Sequence, residues 1–321
     1  MLAALLLLAG CTAPQTYSFD WGEARVCTPA AAAEANTEVT AAQVIFEEAF
    51  GVPAPKGIVV DARFNADTEK TEELVYVMPW TFEEQDEPPA ELVESIRSQI
   101  VTQLEAAGIE PTEERVDAAV AQALAQRAAQ TEEPDDESVK PLRHEVGHKL
   151  FIEAVWPNTS GGRTYGGSAP DWLDEAAAVL VEDDVLTERR RDQFARLVRE
   201  DKLTPLAQFL TMEHPLYGVV SQIIEEGGAE GGVLKLTAED FAARGIDVDE
   251  APIAFYAQAR GFLDYLDATT VRPQTLGIIA RGLLEYGSMD VFLEEEGAAA
   301  DLPASMEALQ ASFDHWAHDQ F

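Results

Sequence analysis

The sequence predicts an α+β fold that is mostly α-helix, with a small N-terminal sheet ahead of a helical body. Three observations predict it. Gly57-Ile58-Val59-Val60 and Leu74-Val75-Tyr76-Val77-Met78 are short, β-branched or aromatic runs of strand length. From residue 88 onward, apolar residues recur at helical spacing, in places within alanine-rich sequence of high helix propensity. Apolar residues make up 46% of the 321, enough for a packed core in one large domain or two smaller ones.

Taken in order, residues 11–35 read as a tether with an alanine run, and Val39 to Phe50 as a helix preceding the two strands. Residues 88–130 hold two helical patterns broken at Gly108 to Pro111, and Glu132-Glu133-Pro134-Asp135-Asp136-Glu137 is an acidic linker without the ligand and glycine spacing of a calcium loop. A helix through residue 144 is expected to end near Trp156-Pro157, because proline disfavours helix at the residue before it. A glycine-rich loop, residues 158–167, follows and could serve as a lid. The next helix starts at Ser168-Ala169-Pro170-Asp171, with Ser168 as cap and Pro170 in the first turn. Further helices are expected near 185–200, 203–213, 253–267, 273–286 and 302–317. This divides the chain into an N-terminal α/β and helical region, 36–135, and a helical catalytic region, 136–321. No internal repeat is visible.

Two of the five histidines fall in His144-Glu145-Val146-Gly147-His148. With about 3.6 residues per turn, positions four apart differ by roughly 40° around the axis, so both imidazoles leave one face and can ligate one zinc ion. Glu145 adjoins the first ligand, where its carboxylate can act as a base on water. A hydrolytic zinc site needs a third protein ligand, and Glu175 in Asp171-Trp172-Leu173-Asp174-Glu175-Ala176-Ala177-Ala178 is the candidate. Asp171 or Asp174 could fill that position instead.

These residues bring a family into view. HEVGH followed by a helix carrying Trp-Leu-Asp-Glu-Ala resembles the gluzincin metallopeptidases of the peptidase MA-like group, over roughly residues 138–316. The resemblance implies a zincin-like fold, a zinc cofactor, a peptide or protein substrate, and His144, His148 and Glu175 as ligands. It also places Tyr256, in the segment from Phe255 to Leu266, on the tyrosine that donates to the reacting carbonyl oxygen. Tyr165, His214 and Tyr217 are further candidate donors. Alanine replaces the usual glycine after the third ligand, and no Gly-x-Met-Glu-Asn segment precedes the motif, so the resemblance does not extend to aminopeptidases.

Residues 1–10, MLAALLLLAG, have the length of a signal-peptide core, and Leu8-Ala9-Gly10-Cys11 resembles the lipobox of bacterial lipoprotein precursors. That resemblance implies a lipidated Cys11, attachment to the cell envelope, an outer-membrane destination, and Cys27 as an unpaired thiol. Against 22 basic residues stand 59 acidic ones, a formal charge of −37. Such a surface repels nucleic acid and is strongly hydrated. A second reading keeps the envelope lipoprotein but gives the peptidase-like domain a binding or structural role, although all of HEVGH is intact.

Overall fold

The computed structural model describes residues 13–64, 73–82, 90–106, 142–157, 168–217 and 250–321, with scattered positions at 111–123 and 241–247. Two units are present: Met1–Trp80 with Pro141–Phe321, and Thr81–Lys140. The expected division at residue 135 is therefore replaced by one in which the N-terminal elements join the C-terminal helices. Among its described residues the second unit contains helix α2, Ala90–Ala106. The glycine-rich loop with Tyr165, the acidic linker and much of the second helical pattern lie outside the described residues.

The sheet begins earlier than the apolar runs suggest. Strands β1 (Gln15–Phe19) and β2 (Gly22–Val26) form an antiparallel hairpin within the segment expected to be a tether. Gly22, at φ 133°, lies so close to the Gly57 carbonyl that no side chain fits there. Helix α1 then runs Pro29–Phe50, ten residues longer at its start than expected (39 − 29), because the Thr28 side chain accepts from Ala31 N–H at 3.1 Å and Pro29 suits the first position. It ends at Gly51, left-handed at φ 67°. Strand β3 (Lys56–Asp61) pairs parallel with β2, and β4 (Leu74–Trp80) parallel with β3, giving the order β1-β2-β3-β4. Trp21 Nε1 donates to Asn36 Oδ1 at 3.0 Å, tying the hairpin to α1.

Cys27 is disulfide-bonded, where the lipobox reading leaves it unpaired. The sequence has one other cysteine, Cys11, outside the described residues.

Helix α3, Leu142–Ala154, carries HEVGH and packs on α1 and β4. Arg143 bridges to Glu38 of α1 at 2.6 Å, and the rings of Phe50 and Phe151 lie 5.6 Å apart. Helix α4, Asp171–Leu180, crosses α3. Pro170 rather than Ser168 occupies its capping position, and no side chain caps it; the Ser168 hydroxyl instead accepts from Trp156 Nε1 at 3.2 Å. Helix α5, Asp184–Arg199, is capped by Asp183. The helix expected at 203–213 is one turn, α6, Leu206–Phe209, bounded by Pro205. Helices α7 (Glu250–Thr269), α8 (Thr275–Tyr286), α9 (Met289–Glu296) and α10 (Met306–Gln320) complete the described body, α9 being an element the sequence reading lacked. Phe194 of α5, Phe262 and Tyr265 of α7, and Phe313 and Trp316 of α10 form its aromatic core. No helix among the described residues is long and apolar enough to cross a membrane.

Candidate metal centre

Helical spacing puts His144 and His148 on the buried face of α3, ring centroids 5.0 Å apart. What brings a third group to them is the closeness of α4. A Cβ on Gly147 would fall 2.7 Å from Ala178 Cα and 2.9 Å from the Ala177 carbonyl oxygen, so glycine at this position and alanines opposite it set the approach. Glu175, fully buried, then stands one oxygen 3.6 Å from His144 Nε2 and the other 3.9 Å from His148 Nε2. These separations are too long for hydrogen bonds. Tetrahedral zinc with bonds of about 2.0–2.1 Å keeps its ligand atoms roughly 3.3–3.4 Å apart, and here one ligand atom from each of the three side chains lies within 4.8 Å of the other two. Among the described residues, His144, His148 and Glu175 are the group arranged to hold a metal ion.

The outer nitrogens of both rings face carboxylates. His144 Nδ1 is hydrogen-bonded to Glu182 Oε1 at 2.9 Å, and His148 Nδ1 lies 3.0 Å from Asp174 Oδ2. A carboxylate at Nδ1 keeps the proton there and leaves the Nε2 lone pair for a metal. Asp171 accepts from the His214 backbone N–H at 2.6 Å. Both aspartates weighed as alternative ligands are thus turned to other partners, while Glu175 lies between the two Nε2 atoms. Glu145 is exposed beside the cluster, and its charge reaches His148, Tyr217 and Tyr256.

Tyr256 of α7 also lies against the group, its ring 5.8 Å from that of His144 and its hydroxyl 3.1 Å from His214 Nε2. His214 is itself 3.9 Å from Glu175 Oε1. The segment leading to it is anchored where Gln258 accepts from Thr204 N–H at 2.9 Å and donates to the Thr204 carbonyl at 2.6 Å. Tyr217 packs on the His214 ring at 5.3 Å and is itself partly exposed.

Charge states follow from this burial. Desolvation lowers the His148 pKa, but the charges of Asp174 and Glu175 outweigh it and push it up to about 9, so without a metal this ring is a cation among carboxylates. Burial, with the neighbouring histidines, drives His214 down to about 4, leaving it neutral at pH 7. Burial also raises Tyr256, which stays protonated. For Glu182, burial would raise the pKa, but the hydrogen bond from His144 and the Arg190 charge prevail and lower it. Asp171 is raised, chiefly by burial.

Sequence reasoning missed Glu182 and Arg190. Arg190 forms a forked pair with Glu182, at 3.2 and 3.4 Å, and its Cζ lies 4.8 Å from the Tyr256 ring centroid. Nothing local separates either from the other charged residues of Val-Glu-Asp-Asp or Glu-Arg-Arg-Arg. Comparisons with protein-family models, with curated proteins and with solved structures return no match.

Proposed function

We propose that the protein is a zinc-dependent peptidase of gluzincin type. The observation that carries this reading is the convergence of His144, His148 and Glu175, each histidine backed by a carboxylate, beside the exposed Glu145. The donor set suits zinc, since two imidazole nitrogens and one carboxylate leave a fourth position for water. Zinc held by His144, His148 and Glu175 would supply Lewis acidity and lower the pKa of water towards about 7. Glu145 takes a proton from the attacking water and passes it to the leaving amine. Tyr256, protonated at neutral pH, donates to the carbonyl oxygen as charge develops on it, with His214 holding the hydroxyl in place. The buried Glu182 and Asp174 keep the imidazoles in the tautomer that ligates.

The test is metal content measured together with turnover of a casein-type substrate. Wild type should hold about one zinc per chain and lose activity to a chelator; Glu145→Gln should keep the metal and lose turnover. Unchanged turnover in that variant sinks the assignment of the base, and wild type without zinc-dependent cleavage sinks the peptidase reading.

We propose separately that a lipidated Cys11 attaches the protein to the cell envelope, which requires that the bridge of Cys27 not be made to Cys11 in the mature protein. A lipid chain contributes about 0.8 kcal/mol per buried methylene, so Cys11→Ala should move the protein from the membrane to the soluble fraction with its metal content intact. Retention of Cys11→Ala on membranes, or mass spectrometry showing the Cys27 bridge made to Cys11 in the mature protein, counts against the anchor.

A further inference from the structure

Four side chains from separate parts of the fold close a ring beside the metal centre. His144 of α3 bonds through Nδ1 to Glu182, which follows α4, at 2.9 Å. Glu182 takes both arms of the Arg190 guanidinium, from α5, at 3.2 and 3.4 Å. Arg190 lies over the face of Tyr256, from α7, at 4.8 Å, well inside the roughly 6 Å range of cation–π attraction. Tyr256 returns to His144 with an edge-to-face contact of 5.8 Å. The Glu182 side chain is fully buried and that of Arg190 only 13% exposed, so bulk water screens the ion pair weakly.

We propose that Arg190 is a positioning residue that couples the metal ligand His144 to the hydrogen-bond donor Tyr256. Resting on the peptidase reading for its kinetic half, this adds a residue that touches neither metal nor substrate. One planar group does two things at once. Its charge and fork hold Glu182 as the carboxylate that orients His144, and its face backs the Tyr256 ring so that the hydroxyl meets His214. Lysine cannot replace it: an ammonium pairs with Glu182 as a point charge but has no plane to lay on the ring. The neighbouring Arg191 does not share the role, since it engages Asp264 at 2.9 Å and Glu188 at 2.6 Å.

The two halves separate experimentally. Zinc affinity, measured by chelator competition and independent of turnover, should fall about 10–100-fold in Glu182→Gln and in Arg190→Met, and the double variant should be no worse than the weaker binder of the two. Arg190→Lys, which keeps the charge and guards against misfolding, should hold zinc within about threefold yet lower kcat about tenfold with KM unchanged. In a Tyr256→Phe background, Arg190→Lys should cost no further kcat. Additive losses in either cycle, or Arg190→Met with wild-type zinc affinity, overturn the coupling. Absence of turnover in wild type refutes the peptidase reading instead, and the affinity cycle alone then decides the role of Arg190.

Discussion

The contact between α3 and α4 and the cluster shared by α5, α7 and α10 are both largely buried, yet they are filled in opposite ways. The first is made of Gly147 and alanines 176–178, with His144, His148, Asp174 and Glu175 enclosed beside them. The second is made of Phe194, Phe262, Tyr265, Phe313 and Trp316, packed at ring distances of 5.5–6.1 Å. Each large aromatic contributes about 1.5–3 kcal/mol by leaving water. The small residues contribute far less, and the enclosed charges oppose folding unless paired. The aromatic cluster therefore supplies apolar burial, and it reaches α4 through Trp172 on Phe262 at 5.6 Å, whereas between α3 and α4 closeness rather than bulk brings His144, His148 and Glu175 together.

This contrast can be broken by experiment. The largest effect is expected at Glu175: alanine there should weaken zinc binding by more than the roughly 10–100-fold expected of Asp174→Ala, which removes only the group behind His148. Reversal of that ranking would make Asp174 the ligand and dissolve the picture of an enclosed site with carboxylates behind it. Next comes the aromatic cluster, where Phe313→Ala should cost about 3–5 kcal/mol in denaturant unfolding while folded protein still binds one zinc per chain. Loss of zinc stoichiometry from folded Phe313→Ala would show that the two regions are not separable. Gly147→Ala should cost about 1–3 kcal/mol, because its Cβ meets backbone that must move, and the widened helix pair should also weaken zinc binding. A neutral result at Gly147 would remove the argument that helix approach sets the ligand geometry.

The legible parts of the molecule were those written at short range. HEVGH carries its own geometry, because a helix repeats every few residues, whereas Asp171, Asp174 and Glu175 of the next helix stayed alternatives as the third group, and only tertiary packing puts Glu175 between the two imidazoles. Strands β3 and β4 were visible as apolar runs. The β1–β2 hairpin was not, since Gln15–Phe19 is mostly exposed and Gly22–Val26 alternates with charged residues; inward-facing Gly22, Ala24 and Val26 around Asp20-Trp21 were the available signal. The start of α1 was readable in Thr28-Pro29 but was hidden by the tether reading of the alanine run. Ser168 failed as a cap because the Trp156 indole claims its hydroxyl, a partner 12 residues away. Glu182 and Arg190 lie beyond any local rule: among 59 acidic and 22 basic side chains, only tertiary closure selects them.

The Arg143–Glu38 pair joins residues 105 positions apart, one of them immediately before the first ligand. The helix that presents both histidines is thereby seated on α1, from the unit's first stretch of chain. Contacts of such long sequence separation must offset a loop-closure entropy cost before they stabilise the fold. The group that could hold a metal ion is consequently assembled by tertiary closure over long stretches of chain rather than by local sequence alone.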